Sequence, residues 1–77
     1  MAMVTDVIPD DRNASKIHPT RVEVRYIFVE IDGRKFVQLN TYGSQDRMMP
    51  EKLSQTLQFD RANARKLWEL IGREFDF

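Results

Sequence analysis

A chain of 77 residues has room for one domain and a thin core, with a stability of ~5 kcal/mol or help from a partner subunit. Twelve Lys and Arg balance twelve Asp and Glu, so net charge gives no support for nucleic-acid binding, and any basic patch must come from uneven distribution. There is no cysteine, which excludes disulfides and thiolate metal sites. No apolar run approaches ~20 residues and no basic leader precedes one, so neither a membrane span nor a signal peptide is expected and a cytoplasmic location is the default.

Residues 1–17 lack a sustained period and read as a mobile N-terminal arm, in which Pro9 and Asp10-Asp11 stop any short edge strand built on Val4, Val7 and Ile8. Pro19 biases His18 toward extended geometry and leads the chain into a strand. His18 is the only histidine, and without cysteine partners it reads as a polar residue at a strand entrance; no metal site is expected.

The organising stretch is Tyr26 to Tyr42, in which two runs of β-branched and aromatic residues flank Asp32-Gly33. Asp-Gly between such runs predicts a two-residue type I′ hairpin turn, which needs positive φ at both central positions. The turn sets the register: Ile31 opposite Arg34, Glu30 opposite Lys35 as a favourable charge pair, Val29 opposite Phe36, and so on to Val24 opposite Thr41. The first strand is expected from about Arg21 to Ile31 and the second from Arg34 to Tyr42. One face then carries Val22, Val24, Tyr26, Phe28, Val37 and Leu39 and reads as the core. The other mixes guanidinium groups, amides and rings: Arg21, Arg25, Ile27, Val29, Arg34, Phe36, Gln38, Asn40 and Tyr42.

Gly43 to Lys52 reads as a connector containing Arg47, Met48-Met49 and Pro50. Leu53 to Phe59 returns to period two, with Leu53, Leu57 and Phe59 in the core phase and Ser54, Thr56 and Gln58 on the mixed face. Asp60 is a suitable N-cap. From Arg61 to about Phe75, Ala64, Leu67, Trp68, Ile71 and Phe75 follow helical spacing and predict a helix packed on the core face. The large side chains near the end are too many for so thin a monomer, which predicts a homodimer with Trp68, Ile71 and Phe75 at its interface; the alternative for Phe77 is a frayed end. The fold class is therefore α+β: a small antiparallel sheet of three main strands, hairpin first, then one C-terminal helix, with residues 18–77 as a single β-β-β-α domain.

No glycine-rich phosphate loop, Gly-x-Ser-x-Gly, cysteine nucleophile or partnered histidine is present, so no enzyme activity and no cofactor are expected. The mixed face has what single-stranded nucleic acid requires: cations for the backbone and rings on which bases stack. Arg21, Arg25, Arg34, Arg47 and Lys52 are candidates for phosphates, Phe36 and Tyr42 for stacking, and Gln38, Asn40, Ser54 and Gln58 for hydrogen bonds to bases or phosphates. On composition alone, a second small core of Phe36, Ile27 and Val29 beneath the arm stands slightly ahead of this reading.

The order of elements shifts that balance. The segments Arg34–Tyr42, Pro50–Leu57 and Asp60–Ile71 resemble the transcriptional positive cofactor four family over about residues 20–75. The resemblance implies a dimer that binds single-stranded DNA on a sheet and acts in transcription, with strand two and the loop around Arg47 and Lys52 on the DNA channel; Met48-Met49-Pro50-Glu51 stands where that family is more basic. The segments Leu39–Arg47 and Ser54–Phe59 also resemble small bacterial proteins labelled methionyl-tRNA formyltransferase-like, whose implied activity has neither a visible folate site nor an Asn-His-Asp set here. Single-stranded DNA or RNA is the expected partner. The alternative is a small regulatory adaptor that docks a protein through the same face.

Overall fold

The computed structural model describes residues 1–13, 15–43 and 53–77, without the Ser54 side chain. Five elements follow in order: β1 (Ala2–Val4), β2 (Glu23–Ile31), β3 (Arg34–Tyr42), β4 (Leu53–Phe59) and α1 (Arg61–Phe75). Asp32 and Gly33 both take positive φ, at 52° and 76°. The hairpin therefore closes in the primed geometry whose twist matches its strands. Its register is the expected one from Ile31↔Arg34 to Val24↔Thr41, ending at Glu23↔Tyr42.

The sheet has four strands in the order β1-β4-β3-β2, not three. β4 lies antiparallel to β3, with Leu39↔Leu57 and Asn40↔Thr56 in register and an irregularity at Thr41/Tyr42. The added strand comes from the first residues of the chain, where Ala2, Met3 and Val4 pair in parallel with Leu57, Gln58 and Phe59. No local turn joins these partners, so sequence spacing carried no sign of the pairing. The strand expected to begin near Arg21 begins at Glu23.

Asp60 caps α1 in extended geometry, and its carboxylate accepts from the Asn63 amide at 2.9 Å. At the other end, Asp76 adopts the left-handed conformation (φ 60°, ψ 51°) and Phe77 N–H donates to the Gly72 carbonyl at 2.9 Å. Phe77 is thus folded back onto the helix and its ring stacks on Phe75, with centroids 6.0 Å apart.

The expected core face is only partly covered. α1 packs chiefly on β3 and β4. A helix is about 10 Å wide and strands lie about 4.8 Å apart, so one helix covers two strands. Phe59 is buried at 6% exposure, whereas Phe28 on β2 is 67% exposed and Val22, Val24, Tyr26, Leu53 and Leu57 are also exposed. Among the described residues Phe59 is the one buried apolar side chain. Burial of the Val22, Val24, Tyr26 and Phe28 row within one chain is therefore corrected: the row exists, but it stays exposed, and no element among the described residues packs across it. Glu30 and Lys35 stand opposite each other without an ion pair among the described residues.

Candidate nucleic-acid interface

On the opposite face, register brings together Arg25, Ile27, Val29, Arg34, Phe36, Gln38, Asn40 and Tyr42 with Thr56 and Gln58 of β4. Arg25 and Phe36 share this surface, as the alternation requires. β1 lies in the plane of the sheet beside β4, not across this face, and Ile27 is exposed.

Two guanidinium groups sit over rings. The Arg25 guanidinium carbon is 4.1 Å from the Tyr42 centroid, and that of Arg34 is 5.1 Å from the Phe36 centroid. Both arrangements follow from strand geometry: Arg34 and Phe36 are two apart on one strand, and Arg25 reaches Tyr42 diagonally from its position opposite Asn40. Each pair is worth ~0.5–1 kcal/mol where exposed, and each holds a flat cationic surface in place. Arg25 also pairs with Glu23 at 3.1 Å, which aligns the guanidinium and offsets part of its charge.

Between the two pairs runs a row of hydrogen-bonded polar side chains. Gln58 Nε2 donates to Gln38 Oε1 at 2.9 Å, Gln38 Nε2 to Asn40 Oδ1 at 3.1 Å, and Thr56 Oγ1 to the same oxygen at 2.9 Å. Asn40 and Thr56 are buried, at 8% and 4% exposure, while Gln38 and Gln58 are half-buried. Asn40 is therefore the anchor of the row, and the two glutamines are its accessible part. Gln58, expected among the hydrogen-bonding residues, and Thr56, legible only in the polar alternation of β4, complete the row.

Arg21 precedes β2, outside the paired register that brings the other residues together, and is exposed. Arg47 and Lys52, expected at the channel, lie outside the described residues, as do Met48, Met49 and Pro50. His18 Nδ1 accepts from the Thr20 amide at 3.1 Å, a local turn contact in keeping with its position at the strand entrance. Trp68, Ile71 and Phe75, expected at a dimer interface, are exposed on α1. Among the described residues, no helix is long and apolar enough to cross a membrane.

Comparison with protein-family models, curated proteins and solved structures finds no match to this chain.

Proposed function

We propose that the chain is a non-catalytic, dimeric binder of single-stranded nucleic acid in the cytoplasm, with a role in transcription, and that it uses the face of Arg25, Arg34, Phe36, Gln38 and Tyr42. The observation that carries this reading is the Arg25 guanidinium over the Tyr42 ring, 4.1 Å from its centroid, beside a fixed row of amides. A guanidinium plane lying on a ring extends readily to a stacked base, and its charge serves the adjoining phosphate. The half-buried Gln38 and Gln58 amides are positioned to meet base edges or phosphates, with Asn40 and Thr56 holding them. Arg21, Arg47 and Lys52 would lengthen the cationic track. The face is supplied with rings and cations in alternation although the whole chain is neutral, the uneven distribution that a neutral nucleic-acid binder needs.

Fluorescence anisotropy with labelled single-stranded oligonucleotides at several salt concentrations tests this. Affinity should fall with salt, because each neutralised phosphate releases counterions. Arg25→Ala should weaken binding and flatten the salt dependence by roughly 0.7–1 in log–log slope. Tyr42→Ala should cost ~1–3 kcal/mol for each stacked base, about 5- to 150-fold in affinity. Absence of binding at every salt concentration overturns the reading and leaves the adaptor, docking a protein chain on the same face.

A further inference from the structure

The charges on α1 run against its own dipole. Its first half carries Arg61, Arg65 and Lys66, with no acid in the first turn; its second half and cap carry Glu69, Glu74 and Asp76, opposed there by Arg73. A helix by itself favours anions at its N-terminus and cations at its C-terminus. Apart from the Asp60 cap, this gradient is the reverse. Even the internal pair Arg65–Glu69, at 2.8 Å, has the less favourable order of cation before anion. The gradient does suit a second copy of α1 lying antiparallel, where each cationic half meets an anionic half.

The surfaces match in shape as well as charge. Between the hairpin end and the first half of α1 lies a groove of about 970 Å³. Phe28, Val37 and Ala64 give it apolar walls; Arg34, Lys35, Arg61, Arg65 and Lys66 outnumber the acids Asp60 and Glu69 along it, which leaves it cationic on balance. At the far end of α1 stands an aromatic knob. Phe75 and Phe77 are 71% and 81% exposed, stacked with an interplanar angle of 20°, and flanked by Glu74 and Asp76. The knob is built, not loose: the left-handed Asp76 reverses the chain, and a Cβ on Gly72 would come within 3.1 Å of the Phe77 carbonyl. Two rings already fixed in place lose little freedom on binding. Five exposed rings, Tyr26, Phe28, Trp68, Phe75 and Phe77, each still about two-thirds exposed or more, leave on the order of 500–900 Å² to be covered, which approaches the roughly 800 Å² per partner of a specific interface.

We infer that two copies associate about a two-fold axis with their α1 helices antiparallel, and that the Phe75–Asp76–Phe77 knob of each copy seats in the other's groove. The rings lie against Phe28, Val37 and Ala64 of the second copy, and Glu74 and Asp76 face its Lys35 and Arg61. A two-fold interface makes each contact twice. This inference rests on the dimeric part of the proposed function; Arg34 and Phe36 of the candidate nucleic-acid face also line the groove, so the two readings are separated by measuring association and oligonucleotide binding apart.

The test uses two charge-reversed variants of the full chain, Glu74→Lys with Asp76→Lys, and Lys35→Glu with Arg61→Glu, measured by sedimentation. The unaltered chain should sediment at high micromolar concentration as twice its 9.1 kDa. Each variant alone sets like charges together in both grooves, and its dissociation constant should rise at least about tenfold. Mixed in equal amounts, the two variants should form a heterodimer, because every groove then meets a knob of opposite charge. Rescue on mixing also separates lost association from lost folding, since misfolded chains would not rescue each other. A monomeric unaltered chain, dimers indifferent to both variants, or a mixture that stays monomeric each overturns the inference. A chain that dimerises in this way yet ignores oligonucleotides overturns only the nucleic-acid reading, and one that binds them as a monomer overturns this inference together with the dimeric part of the proposed function while leaving nucleic-acid binding standing.

Discussion

Asn40 shows how a single side chain organises the candidate face. Its Oδ1 receives both the Thr56 hydroxyl and the Gln38 amide, and it is buried. Asn40→Ala would leave two donors without their acceptor, at a cost of ~1–3 kcal/mol. Urea denaturation should show a lower midpoint with an unchanged slope, and oligonucleotide affinity should fall as the Gln38 and Gln58 amides lose their positions. Arg25→Ala is the contrast, because its Glu23 pair is exposed and such pairs are worth ~0–1 kcal/mol. That variant should lose affinity with its melting temperature nearly unchanged; early melting would show that Arg25 serves packing.

At the scale of elements, β1 depends on contacts made far along the chain. Asp6 just beyond it pairs with Lys66 on α1 at 3.1 Å, and the Asn63 side-chain amide donates to the Val4 carbonyl at 3.4 Å. The hydrogen bond from Lys66, then that from the Val7 amide, holds the Asp6 carboxyl below its ordinary value of 3.8. A depressed carboxyl contributes stability that is present above its unfolded value and is lost as pH falls through the folded one. Protection of the β1 amides against hydrogen exchange should therefore drop once pH falls below about 3.8. Lys66→Met should lower that protection near neutral pH and weaken its pH dependence, with the remainder carried by the Val7 amide that still donates to Asp6. The Asp60 cap belongs to this scale too, but it was visible locally: an acid directly before a helical period can only act on the amides that follow it.

For the whole molecule, the open row of Tyr26 and Phe28 and the exposed Trp68, Phe75 and Phe77 decide the outcome. A single chain that buries Phe59 but leaves these rings in water has much to gain from association. The melting temperature should accordingly rise with protein concentration, as mass action requires when the folded state alone binds a second copy. A melting temperature that stays constant over a hundredfold dilution would mark a self-sufficient monomer.

Features whose causes lie within a few residues were legible in the chain: the Asp32-Gly33 turn, the register that follows from it, the sorting of side chains onto two faces, and the helix from its Asp60 cap to Phe75. Turn chemistry and periodicity act over that range, so they could be read directly. Long-range packing set the rest: Ala2–Val4 joins β4, Asn40 and Thr56 are buried together, and the helix shelters β3 and β4 while β2 stays open. Those outcomes depend on which distant segments meet and on how wide a helix is beside a four-stranded sheet, and no local pattern of residues encodes either.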